Sequence, residues 1–201
     1  MSTKTNIGLV DYAEKQVGLP YWFGTFGQTA TAALYSSKKK QYPKYYTDTN
    51  FKGQYGKRVH DCSGLLKGYL WSDTPTSPPK YNAKQDSEIQ NFVGKEPIST
   101  IPEIVGVLVF GPGHVGIYIG NGEVIEARGH AYGVVKTKLK ERSFTHWGYC
   151  PWIEYISEKK DKKDGDKKIT SELVNDILFG KYGNEPERKT KIEKLGYNYE
   201  D

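Results

Sequence analysis

Ile7, Val10, Ala13 and Val17 recur at the three- and four-residue spacing of a helix face, with Glu14 beside them. Asn6 stands where a cap belongs, and Gly18-Leu19-Pro20 stops the run. Leu65-Leu66-Lys67-Gly68-Tyr69-Leu70 reads as a second helix, entered through Asp61-Cys62-Ser63-Gly64 with Asp61 as its cap. Pro75 to Pro79 reads as a loop, and Asn82 to Val93 as a short helix ended by Gly94. The pattern then changes to strands at 104–110, 114–119, 123–128 and 134–139, with a last one near 152–156. Helices followed by antiparallel hairpins predict an α+β fold, with one helix packed on the sheet.

The hairpin at 114–128 has a register that the apolar pattern selects. Asn121-Gly122 is a strong turn signal. A strict two-residue turn places Ile117 opposite Glu126 and mixes Val115, Ile117 and Ile119 with Glu126 and Arg128 on one side. A three-residue loop, Gly120-Asn121-Gly122, places Gly116 opposite Glu126 instead. Val115, Ile117, Ile125 and Ala127 then share an apolar face, and His114, Gly116, Tyr118, Glu126 and Arg128 share the other. A one-residue slip exchanges the faces, so the second register is expected. It sets Glu126 diagonal to His114 across a side-chain-free Gly116.

These positions carry a chemistry. Cys62 at a helix start meets unpaired N–H groups and the positive end of the helix dipole, which favour a thiolate. His114 offers a base and Glu126 a group to orient it, the parts of a cysteine nucleophile site. The competing reading is structural, because a lone cysteine or histidine more often packs than reacts. Cys150, between Tyr149 and Pro151, is expected in the core, and two cysteines make no disulfide framework. With four histidines and no C-x-x-C or H-x-x-x-H pair, no metal and no cofactor is expected; His60 and Cys62 are a weak pair.

The D-C-S-G element, the later H-V-G-I-Y-I-G-N-G hairpin and the acid twelve residues after His114 resemble the NlpC/P60 cysteine peptidases. Val17-Gly18-Leu19-Pro20-Tyr21-Trp22-Phe23-Gly24 is similar to the family's G-x-P-Y-x-x-G segment, and the likeness covers residues 7–156. It implies a papain-like α+β core and cleavage of peptidoglycan stem peptides, commonly between D-γ-glutamate and a diamino acid. It also implies Cys62 as nucleophile, His114 as base and Glu126 as orienting residue, although that third residue is most often His in the family. Tyr21 matches the tyrosine beside the nucleophile. Asp61 and Ser63 match positions that line the substrate site, where Trp22 and Arg128 are also expected. An N-acetylmuramoyl-L-alanine amidase is the alternative within the enzyme class, and a non-catalytic wall-binding module the alternative outside it. The segment 28–59 is longer than the family usually has between tyrosine and cysteine.

Composition adds the rest. Of 201 residues, 1–156 carry 18 Lys and Arg against 13 Asp and Glu, while 157–201 carry 11 of each, so the net +5 belongs to the first part. Bacterial peptidoglycan is the expected partner, and a positive domain is drawn weakly to an anionic envelope. Residues 36–58 are rich in Lys and Tyr, which suits nucleic acid or glycan, or equally an insertion whose tyrosines pack on the domain. No nucleic acid is expected as a partner, and the oligomeric state is left open. Ser157 to Lys168 holds no apolar residue and reads as a charged linker. Beyond it, Leu173, Val174, Ile177 and Leu178, then Glu187 to Leu195, read as two short helices. This appendage, 169–201, resembles part of a lysin cell-wall-binding repeat. No stretch approaches membrane-spanning length and Met1 to Asp11 lacks an apolar leader. The expectation is a phage lysin made in the host cytoplasm and acting on the wall after release, or a virion-associated hydrolase.

Overall fold

The computed structural model describes residues 3–47, 50–156, 181–182 and 187–194. The chain divides into two units, 1–156 and 157–201. In the first, α1 (Asn6–Gln16) buries Leu9, Tyr12, Ala13 and Gln16. Its cap is Thr5, whose hydroxyl accepts from the Gly8 N–H at 3.1 Å. Asn6, expected as the cap, is buried one residue inside. Its amide donates to the Val105 carbonyl (3.1 Å) and its oxygen accepts from the Ile156 N–H (2.9 Å).

β1 (Phe26–Thr29) and β2 (Arg58–His60) form a two-stranded antiparallel ribbon. Between them runs the Lys- and Tyr-rich segment, with α2 (Ala32–Gln41) and two 3₁₀ turns. Its rings close a separate core of Trp22, Tyr46, Phe51, Ala30 and Val59, with Tyr35, Tyr42 and Tyr55 against it. The tyrosines of this segment therefore pack on the domain.

α3 (Cys62–Trp71) follows β2 directly, and α4 (Ala83–Asn91) is capped by Asn82. Six strands form the main sheet: β3 (Glu96–Pro97), β4 (Leu108–Gly111), β5 (His114–Gly120), β6 (Glu123–Ala127), β7 (Val134–Lys138) and β8 (His146–Gly148), in the order β3-β8-β4-β5-β6-β7. Every pairing is antiparallel. This is the expected α+β plan: Leu65 and Leu66 of α3 and Leu9 of α1 pack with Leu108, Ile117 and Ile125 of the sheet. The expected strand near 152–156 is absent. Glu154 forms one isolated bridge with Thr5, and the main sheet gains Glu96–Pro97 and His146–Gly148, both too short to show an alternation.

The β5–β6 hairpin has the register the apolar alternation selects, reached by a different route. Asn121 (φ 52°) and Gly122 (φ 69°) make a two-residue turn of the type that suits hairpin twist, with Gly120 opposite Glu123. A bulge between Tyr118 and Gly120 then slips the pairing, so that Ile117 meets Ile125 and Tyr118 meets Val124. The face expected to be polar is a second core instead. Val107, Val109, Tyr118, Val124, Phe144 and Trp147 fill it, because the chain between β7 and β8 folds across that side.

Within the second unit, α5 (Glu187–Lys194) carries a Glu187–Lys191 ion pair at 3.6 Å. The expected linker and the helix over 173–178 lie outside the described residues. No helix among the described residues is long and apolar enough to cross a membrane.

Candidate active site

Cys62 is the first residue of α3, and its neighbours hold that helix end in place. Asp61 Oδ1 accepts from the Gly64 N–H (2.6 Å) and the Ser63 hydroxyl (3.2 Å), while Oδ2 accepts from the Gly24 N–H (2.9 Å). The helix start is thus fastened to the turn after Tyr21. Burial pushes the Asp61 carboxyl up, opposed by the charge of Lys67 and by these hydrogen bonds. Gly64 admits no side chain, since a Cβ there would lie 1.8 Å from the Thr25 carbonyl oxygen. Asp61 therefore serves as a cap whose oxygens are already engaged.

His114 opens β5 beside that helix end. Its Nε2 lies 2.6 Å from Glu126 Oε2, and the ring lines the same cleft as Cys62. Glu126 is fully buried. Arg142 donates to it twice, from Nε to Oε1 (2.6 Å) and from Nη2 to Oε2 (2.9 Å), and the Thr137 hydroxyl donates to Oε1 (2.7 Å). Phe144 stacks on the imidazole at 6.0 Å and 20°, and the Arg142 guanidinium lies 6.0 Å from the Phe144 ring. The imidazole is held both at its edge and on one face.

The electrostatics follow from these contacts. Burial alone would lower the His114 pKa, but hydrogen bonding to Cys62 and Glu126, with their charges, raises it to about 9. Burial alone would raise Glu126, but the donors His114, Arg142 and Thr137 hold it at about 2. A protonated imidazole against a carboxylate is the charge arrangement that His114 and Glu126 favour.

The structure sorts the other expected residues. The Tyr21 phenol is pushed well above its ordinary range by burial and by the nearby charges of Asp61 and Cys62, so it stands protonated. Ser63 lines the cleft with Cys62. Trp22 is a correction: it is fully buried under the Tyr-rich segment, with its indole N–H on Gln54 Oε1 (2.6 Å), and cannot touch a substrate. Arg128 lies over the Tyr132 ring at 4.1 Å, and the guanidinium that reaches Glu126 is that of Arg142. Arg142 and Thr137 escaped the sequence reading because no spacing marks them; a buried acid that needs a cation was the one signal. His60 is fully buried against the Tyr12 hydroxyl (2.8 Å), and burial pushes its pKa down to about 3. Cys150 is buried too, its thiol raised to about 12. Among the described residues no group of three or more His, Cys, Asp or Glu could hold a metal ion.

Two cavities meet at Cys62 and Ser63 and form the arms of one cleft. An apolar arm of about 210 Å³ is lined by Leu66, Ile89, Phe92, Phe110 and His114. A larger polar arm, about 740 Å³, is lined by Lys38, Gln41, Asp61, Lys67 and Asp86.

The NlpC/P60 family matches residues 47–151, just over half of the 201 residues. The chain belongs to the NlpC/P60 family. Cys62, His114, Glu126, Thr137 and Arg142 all lie inside the matched span, whereas Tyr21 and the whole of α2 precede it. Among solved structures, the peptidoglycan hydrolase RipB from Mycobacterium tuberculosis is 24% identical, with 75% of this chain and 65% of that one covered and a TM-score of 0.42. The NlpC/P60 domain of the peptidoglycan hydrolase SagA is 17% identical, with 72% and 98% covered and a TM-score of 0.42. The P60 domain of an antigen from Mycobacterium avium subspecies paratuberculosis is 21% identical, with 71% and 90% covered and a TM-score of 0.40. The chain thus spans about two thirds of RipB. Among curated protein sequences, none matches.

Proposed function

We propose that this protein is a cysteine peptidase that hydrolyses the stem peptides of bacterial peptidoglycan, between D-γ-glutamate and the diamino acid. The observation that carries the reading is His114, which shares an open cleft with Cys62 and bonds a buried, cation-clamped Glu126. In this reading Cys62 Sγ attacks the γ-carbonyl carbon. N–H groups of the first turn of α3 face the developing oxyanion. His114 gives its proton to the departing amine, which leaves a thioester on Cys62. It then takes a proton from the water that hydrolyses that thioester. Glu126 keeps its charge throughout and holds the imidazole in one orientation. The family resemblance and the similar hydrolases support peptidoglycan as the substrate class.

Mass spectrometry of purified wall digested with the protein tests the bond. The expected products carry a new γ-D-glutamyl carboxyl and a free diamino-acid amine, and are absent with Cys62→Ala. A free lactyl-muramic product would make the enzyme an amidase, and no product at all would make the chain a wall-binding module.

A further inference from the structure

α2 precedes the span that matches the family, yet it forms one wall of the cleft. Leu34 and Tyr35 lean on the aromatic core around Trp22. Lys38 and Gln41 continue the Leu34 stripe at helical spacing, which turns both into the polar arm. In the run Lys38-Lys39-Lys40 only Lys38 is half-buried; the other two are exposed.

The polar arm holds four charged side chains, and three of them are already engaged. Lys67 pairs with Asp86 at 2.6 Å, and Asp86 also accepts from the Tyr81 hydroxyl at 3.0 Å. Asp61 accepts from Gly24, Gly64 and Ser63. Among the described residues, Lys38 meets the neutral Gln41 Oε1, at 3.3 Å, and the Tyr42 ring, at 5.6 Å. Burial pushes its pKa down, Asp61 and Asp86 oppose that, and the charge of Lys67 adds to it.

The direction of the substrate follows from the proton transfer. His114 lines the apolar arm and must reach the departing amine, so the acyl part of the substrate lies in the polar arm. A γ-glutamyl acyl group carries a free α-carboxylate three carbons from the attacked carbonyl.

We propose that Lys38 is a specificity-determining residue whose ammonium binds this α-carboxylate, so that the enzyme prefers stem peptides with a free carboxylate over those in which it is amidated. The inference rests on the peptidase reading above. It is tested with two synthetic peptides, L-Ala-γ-D-Glu-diamino acid-D-Ala and its D-isoglutamine counterpart. KM and kcat are measured for the wild type, Lys38→Met and Lys40→Met. Calorimetry with Cys62→Ala, with and without Lys38→Met, reads binding independently of turnover. The wild type should show a KM about tenfold lower for the carboxylate peptide, as one charge-assisted hydrogen bond provides. Lys38→Met should lose that preference with kcat and thermal stability nearly unchanged, while Lys40→Met keeps it. Turnover with equal KM for the two peptides, or a preference that survives Lys38→Met, overturns the role of Lys38. No turnover of either peptide, with the calorimetric preference intact, overturns the reaction and leaves the Lys38 contact standing. Absence of both turnover and preference overturns both.

Discussion

Arg142→Ala is the perturbation that probes the site most directly without touching Cys62 or His114. It removes two charge-assisted hydrogen bonds, 2.6 and 2.9 Å long, from a carboxylate that is fully buried. Breaking one side of a buried ion pair costs about 3 to 5 kcal/mol. The Arg142 side chain is 23% exposed, so water can enter where it stood, and the expected loss is about 2 to 3 kcal/mol. For a domain of this size that lowers Tm by about 5 to 10 °C. The pH dependence identifies the cause. Glu126 ionises at about 2 in the folded protein and near 4.5 unfolded, so its contribution is full above 4.5 and is lost as pH falls toward 2. His114, raised to about 9 from 6.5, contributes fully below 6.5 and loses that contribution as pH rises through 9. Without Arg142 the Glu126 carboxyl rises toward its ordinary range. The penalty of the variant should therefore be largest near neutral pH and shrink at pH 3.5, as read by urea unfolding at both values. Arg142→Lys keeps the charge but not the two-pronged geometry, and should recover about half the loss. An equal penalty at both pH values would show that Arg142 acts by packing on Phe144 and not through the charge of Glu126. No penalty at neutral pH would refute the buried clamp altogether.

Cys62→Ala should abolish cleavage with little change in Tm, and iodoacetamide should modify Cys62 far faster than Cys150, which is 1% exposed with its thiol raised to about 12; equal labelling by mass spectrometry would contradict the assignment. Gly116→Val should cost about 1 to 3 kcal/mol through overpacking. A Cβ there meets Val124 Cγ1 at 2.6 Å and Phe144 Cζ at 3.2 Å, so activity should fall as Phe144 is pushed against the His114 ring. Unchanged stability in urea would show that the sheet face is looser than this packing implies.

Gly116 also shows how a local inference can be right in place and wrong in cause. The alternation of apolar residues along 115–127 was enough to choose the register, because one residue of slip would have carried Ile117 and Ile125 to opposite partners and mixed the two faces. The sequence sets this glycine between His114 and Glu126; in the folded protein a side chain there would meet Val124 first, then Phe144 and Val109. The thiol at a helix start, the strand histidine and the acid after the Asn-Gly turn were all legible, since each depends on near neighbours or on a period of two or 3.6. So was the α+β plan.

The partners that give those groups their chemistry were not legible. Arg142 reaches Glu126 only because the β7–β8 connection crosses the sheet, and Trp22 is hidden only because α2 and its tyrosines close over it. Lys38 enters the cleft by the same packing. Local sequence determined which residues could react, because backbone period, turn chemistry and capping act within a few positions. Tertiary structure alone decided which of them are buried, which charge meets which, and which side chains line the cleft. Those are properties of surfaces brought together from distant parts of the chain, and no local pattern encodes them.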